Sequence, residues 1–196
     1  MILNLESGGF MKLAPNRFDA EFDAQSEKPG EQRLEKMVSG RYMGELFGMA
    51  IAELLGEKGK KYGFTSIDMS NIILDETAGL SEVGRIVSAK TGHDLEEVDR
   101  QRLQELASAL VVRSARLVTA TYVGIIWQLA GDEAIKKQHI AIDGSVYEKM
   151  PLAKENIMRA LSELFGESAP LVDTVLENGG SGLGAAIAAA MSQQQA

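Results

Sequence analysis

Pro29-Gly30-Glu31-Gln32-Arg33-Leu34-Glu35-Lys36-Met37-Val38-Ser39-Gly40-Arg41-Tyr42-Met43-Gly44-Glu45-Leu46 starts as a turn and continues as helix. Pro-Gly is a strong break, and an acid such as Glu35 early in a helix sits well against the partial positive charge of its N-terminus. Further along, Gly40, Gly44 and Gly48 recur every four residues and Ala52 completes the row. One helix face is therefore nearly bare, and another backbone or a ligand can approach it closely. Glycine inside a helix lowers its stability, so the row needs a reason. Tight packing against a sheet is one; a ligand reaching Gly40 is the other.

The chain around this stretch has 196 residues, enough for one domain that buries about 70% of its extended surface. Cysteine is absent and histidine occurs twice, which removes disulfides, thiolate nucleophiles and the usual zinc sites. A net charge of −8 disfavours nucleic acid and acidic membranes as partners. It leaves room for a nucleotide, whose phosphates magnesium and backbone N–H groups can hold. Without a leader-like segment or an apolar run of spanning length, the expectation is a soluble, cytoplasmic protein.

Met1-Ile2-Leu3-Asn4-Leu5 alternates and then meets Ser7-Gly8-Gly9, the pattern of a strand running into a loop, with Glu6 at its end. Ligand crevices form at such ends, and idle exposed carboxylates are common there too. Phe18 to Asp23 reads as a short acidic surface helix without assigned chemistry. Residues 40–56 read as a long helix with Leu46, Phe47, Ala50, Ile51, Leu54 and Leu55 on one period. The lysines at 58, 60 and 61 suit its solvated C-terminal end, and the hydroxyls of the Thr65 to Ser70 stretch, Ser66 and Ser70 among them, suit capping of the next helix.

From Leu80 to Ala130 the pattern is helical, one segment ending at Thr91 before Gly92 and another running on from Asp94. Ala107, Leu110, Val111, Ala115, Leu117, Val118, Ala120, Val123, Ile125 and Ile126 form its apolar packing surface, and Arg113 and Arg116 within it require partners or an edge. The period then changes. His139 to Tyr147 reads as strand, tight turn around Asp143-Gly144-Ser145, and short strand; Pro151 opens a helix to about Phe165; Leu171 to Leu176 is a second strand. Gly179-Gly180-Ser181-Gly182-Leu183-Gly184 opens a last, Ala-rich helix, so the chain reads as one α/β domain over 1–192 with a frayed tail at 193–196. Backbone donors in Gly/Ser turns after strands can reach phosphate or ribose, although neither turn has P-loop or GxGxxG spacing.

In combination these stretches resemble the hexokinase family, sugar kinases of the actin-like ATPase (ribonuclease H-like) fold, over the carboxy-terminal portion of their large domain. The likeness is carried by Asn4-Leu5-Glu6-Ser7-Gly8-Gly9-Phe10, by Pro29-Gly30 with Gln32 and Leu34 to Gly40, and by Tyr42-Met43-Gly44-Glu45-Leu46. Arg113-Ser114-Ala115-Arg116-Leu117, Asp143-Gly144-Ser145-Val146-Tyr147 and Gly180-Ser181-Gly182-Leu183-Gly184-Ala185-Ala186 extend it to Ala190. The resemblance implies half of a large domain, with a mixed sheet and a large helical component. It implies that Glu6, Gln32 and Glu35 bind a hexose such as glucose. It further implies that Gly40 and Arg41, Ser66 and Ser70, Asp143-Gly144-Ser145, and the adenosine loop Gly180, Ser181, Gly182, Leu183, Gly184 and Ala185 serve ATP with Mg2+.

Three departures bear on sugar preference and nucleotide affinity more than on fold: Ser7 stands where the family has Trp, Leu183 where it has a basic residue, and residues 56–91 are fewer than usual. The family's phosphate loop and catalytic aspartate have no counterpart among these residues. The expectation is therefore a portion of a two-domain kinase that pairs with the N-terminal half of the same enzyme, supplies no catalytic residue or metal ligand of its own, and is inactive alone. A non-catalytic sugar- or nucleotide-binding regulatory module with the same half-fold is the alternative, and a purely helical interaction protein ranks behind both.

Overall fold

In the computed structural model, which describes residues 5–177 together with Gly179, Gly182 and Gly184, helices dominate. A 3-10 turn at Ser7–Gly9 leads to α1 (Arg17–Ala24), α2 (Arg33–Val38), α3 (Gly40–Leu54), α4 (Ser66–Ile73), α5 (Ser81–Thr91) and α6 (Glu97–Ala130). Strand β1 (Gln138–Ile142), α7 (Ser145–Lys149), α8 (Ala153–Phe165) and β2 (Val172–Leu176) follow. The strands pair in parallel, from Gln138 opposite Val172 to Ile142 opposite Leu176, so α7 and α8 form the crossover that parallel pairing demands. Among the described residues the sheet is this parallel pair, without the mixed character expected of it.

Local chemistry sets the boundaries. Asn16 and Asp19 exchange backbone and side-chain hydrogen bonds in a capping box that starts α1. Gly56, at φ 73°, ends α3: its N–H donates to Glu53 O, and the Glu57 N–H donates to Ala52 O, the paired pattern of a Schellman motif. Gly92 in the left-handed region ends α5, as the sequence indicated.

Helix α6, 34 residues long, is the spine on which two cores sit. Its Leu103, Ala107 and Val111 join Met43, Phe47, Phe64, Met69, Ile72 and Val83 in the first core. Its Ala115, Val123 and Ile126 join Ile142, Tyr147, Ile157, Leu161, Phe165 and Val172 in the second. Ala107, Val111, Ala115, Val123 and Ile126 are buried as expected, whereas Leu110, Leu117, Val118 and Ile125 are half-buried and Ala120 is exposed. Two buried positions of α6 are polar: Ser114 donates to Val38 O at 2.8 Å and Thr119 to Ala115 O at 2.8 Å.

Several expectations need correction. The helix α6 is long and apolar enough, by length and composition, to cross a membrane, contrary to the reading that no such run exists; here its apolar stripe faces the two cores. The expected strand after Gly144 is helix α7, closed by local bonds from Glu148 N–H to Gly144 O and from Met150 N–H to Val146 O. Met1 to Asn4, most of the expected first strand, lie outside the described residues, and Leu5 and Glu6 are not in a strand. The residues of the expected last helix from Ala185 onward, with the 193–196 tail, also lie outside them.

Candidate functional site

The stretch from Gln32 to Glu45 folds as two helices meeting at a corner. Ser39, in extended conformation at φ −73° and ψ 146°, serves both: its N–H donates to Glu35 O at 2.9 Å and its Oγ accepts from the Tyr42 N–H at 3.4 Å. Glu35 lies before the corner and Arg41 after it.

On the α2 side, Gln32 holds a left-handed backbone at φ 49°, ψ 43°, and Glu6 does the same at φ 44°, ψ 49°. Such conformations are uncommon outside glycine and require the surroundings to hold them. The 3-10 turn that follows Glu6 presses on α2: a Cβ at Gly8 would lie 2.7 Å from Gln32 Oε1 and 3.2 Å from Glu35 Cβ. The backbone segment carrying Glu6 thus stands against Gln32 and Glu35, and all three side chains are exposed.

On the α3 side, a Cβ at Gly40 would meet Val146 Cγ2 at 2.8 Å and Ser66 Oγ at 3.7 Å. Three features that lie far apart in sequence, the N-termini of α3 and α4 and the turn after β1, converge at this point. The bare face at Gly40 is filled by Val146 rather than left open. Further along the same face, a Cβ at Gly44 would come within 2.6 Å of Phe64 O and 2.7 Å of Thr65 Cα, so the glycine row packs against a loop backbone and not against a sheet. Arg41 is exposed, 3.9 Å from Glu45. Asp143, Gly144 and Ser145 are exposed beyond β1, and Gly182 and Gly184 are exposed and helical. Gly180, Ser181, Leu183 and Ala185 lie outside the described residues.

A cleft of about 570 Å³ takes in Gln32, Glu35, Arg41 and Ser66 among the anticipated residues, with Tyr42 and Thr65 beside them. Glu6, Gly40, Ser70 and the turn after β1 do not line it. The capping of α4 belongs to neither Ser66 nor Ser70. Thr65 is the N-cap, its Oγ1 accepting from the Asp68 N–H at 3.2 Å while Asp68 takes the Thr65 N–H at 2.7 Å. Ser66 is already inside the helix and Ser70 lies a turn further on, so neither can reach the free N–H groups. The sequence carried the signal, Thr followed three residues later by an acid.

Behind the cleft wall, Asp23 accepts from Lys36 Nζ at 2.6 Å and from the Gly30 N–H at 3.1 and 2.9 Å. Burial pushes its carboxyl up, but the hydrogen bonds from Lys36 and Gly30 and the charges of Lys36 and Arg33 outweigh it, and its pKa lies below the ordinary 3.8. Arg113 donates to both oxygens of Asp19 at 2.9 Å, and Arg116 pairs with Glu163 at 3.1 Å, the partners that these arginines required. Among the described residues no group of three or more His, Asp or Glu is gathered to hold a metal ion.

The family model described as hexokinase matches residues 1–191. Hexokinase-2 of Candida albicans is 31% identical over 214 residues that include all of this chain and 43% of the relative. Hexokinase-1 of Saccharomyces cerevisiae is 32% identical over all of this chain and 43% of the relative. The structure of a Schistosoma mansoni hexokinase complexed with glucose superimposes with a TM-score of 0.74 over 91% of this chain and 42% of that one, at 22% identity, which shows a shared fold. The chain spans somewhat less than half the length of the relatives it matches.

Proposed function

Since this chain belongs to the hexokinase family, we propose that it forms the hexose-binding and adenosine-binding portion of an ATP-dependent hexose kinase. The observation that supports this most is the corner at Ser39, which sets Gln32 and Glu35 on one side and Gly40, Arg41 and Ser66 on the other. In this reading Glu35 and Glu6 accept hydrogen bonds from sugar hydroxyls, since a carboxylate is an acceptor only and can take two such protons. Gln32 adds one acceptor and two donors. A site whose polar groups expect hydroxyl partners discriminates strongly against ligands that lack them. The left-handed backbone at Glu6 and Gln32 fits the tendency of such conformations to gather at functional positions. Glucose, bound in the Schistosoma mansoni relative, is the hexose proposed here.

On the other side, the N-terminus of α3 with the Arg41 guanidinium favours negative charge, and Ser66, Ser70 and the Asp143-Gly144-Ser145 turn offer hydroxyl and N–H groups to a nucleoside. Bound ATP with Mg2+ supplies the phosphoryl group. In this reading the chain's part is to orient sugar and nucleotide; among the described residues no carboxylate or histidine cluster is gathered to hold a metal, and the general base is supplied from elsewhere. The 196 residues alone therefore turn over no hexose, and the base comes from the N-terminal half of the enzyme. The test is hexose-dependent ADP formation by the longest native polypeptide containing this chain, with Mg-ATP and a panel of hexoses. Turnover that falls with Glu6→Ala and with Glu35→Ala supports the reading; absence of turnover with every hexose refutes it and favours a non-catalytic binding module.

A further inference from the structure

Helix α1 carries two aspartates, Asp19 and Asp23, four residues apart and so on one helix face. Each holds an inward-turned cation. Asp23 takes Lys36, which also donates to Lys28 O at 2.7 Å, and binds the Gly30 N–H through both carboxylate oxygens. Asp19 takes Arg113, whose other Nη reaches Met37 O at 3.5 Å. Lys36 and Asp19 are each only 6% exposed. The tied points bracket a short span, Lys28 and Gly30 before Gln32, and Lys36 and Met37 after Glu35.

Helix α2 is six residues long, too short to hold its shape unaided. Its two ends are fixed from outside instead. A buried ion pair is a poor source of stability, since an apolar pair of similar volume does as well or better. What an apolar pair lacks is donors, and Lys36 uses two of its three to tie a carboxylate on α1 and a carbonyl in the loop before Gln32. We infer that Asp23 and Lys36 are positioning residues: they hold left-handed Gln32 and exposed Glu35 in the orientation in which a polyhydroxylated ligand meets them. The inference rests on the reading of Gln32 and Glu35 as hexose contacts.

The experiment compares Lys36→Met, Asp23→Leu and the double variant with the parent in the longest native polypeptide, measuring hexose KM, Mg-ATP KM and the thermal midpoint. Asp23→Leu leaves buried Lys36 without its carboxylate, Lys36→Met leaves half-buried Asp23 with only the Gly30 N–H and Arg33 at 3.8 Å, and each lowers the midpoint. The double variant regains the midpoint, yet its hexose KM stays raised by roughly tenfold or more, the scale of misplaced binding groups, with Mg-ATP KM unchanged. A double variant with parental hexose KM, or one whose two KM values rise together, overturns the inference. Should the double variant not fold, Asp23→Asn, which keeps an acceptor for Gly30, carries the same comparison of KM values. If the parent phosphorylates no hexose, the proposed function itself has failed and the inference falls with it; an active parent with an indifferent variant refutes the inference alone.

Discussion

Replacing Gly44 by alanine should destabilise the protein even though alanine is the better helix former. In α3 the change gains about 1 kcal/mol of helix propensity. Against that, the new Cβ would lie 2.6 Å from Phe64 O and 2.7 Å from Thr65 C and Cα. These are backbone atoms of the segment that caps α4, so no side chain can swing aside, and the cost falls at the upper end of the overpacking range, about 2–3 kcal/mol. The expected net loss is about 1–2 kcal/mol, which for a chain of this size lowers the unfolding midpoint by about 2–8 °C. Gly124 is the control: it is likewise helical but exposed, whereas Gly44 is buried, and it has open space where its Cβ would be. Gly124→Ala should therefore raise the midpoint by about 2–4 °C. Thermal unfolding followed by circular dichroism measures both. If the two variants shift in the same direction, close approach is not the reason for the glycine row.

Thr65→Ala removes the α4 cap and should cost about 1 kcal/mol in denaturant unfolding, whereas Ser66→Ala and Ser70→Ala should leave stability nearly unchanged and weaken Mg-ATP binding. Arg113→Ala strands buried Asp19 and should lower stability by about 3 kcal/mol or more, read from urea midpoints. Acid titration of stability should follow Asp23 and Asp75. For Asp75, burial raises the carboxyl pKa, but the Thr77 hydroxyl and the N–H groups of Val83, Thr77 and Glu82 lower it further, to a net value below 3.8. Because both carboxyls bind protons more weakly folded than unfolded, their stabilisation is complete above pH about 3.8 and is lost as pH falls through their lower folded values. Asp75→Asn should flatten that acid slope.

The parts of the fold legible in the sequence are those governed by neighbours along the chain. Pro29-Gly30, Gly92 and the change from helical to strand period at His139 mark boundaries that the structure keeps, the strand starting one residue earlier at Gln138. The short helix around Phe18 and the limits of α8 and β2 were readable for the same reason. What was not legible depends on distant contacts: that the glycine row faces Phe64 and Thr65, that Val146 seats on Gly40, and that Lys36 is buried on Asp23. An Asp-rich helix gives no sign by itself of which cations turn inward to meet it. The corner from Gln32 to Arg41 stood out as one candidate wall because it is contiguous in sequence, while its approach to the turn after β1 is made only by the folded chain. The Thr65 to Ser70 stretch offered several hydroxyls as caps of α4, and the Asp68 partner three residues on singles out Thr65 among them.

The corner at Ser39 acts as a ruler. The six positions from Glu35 to Gly40 fix how far the proposed hexose acceptors stand from the proposed nucleotide contacts, and that spacing is set by bond lengths and two helix ends, not by how well distant surfaces dock. Breathing of the two cores alters it little. An inserted residue, by contrast, would rotate the acceptors of one helix about its axis relative to the other. A change in the length of this span should therefore shift the two sets of contacts relative to one another, whereas a substitution within it leaves their spacing in place.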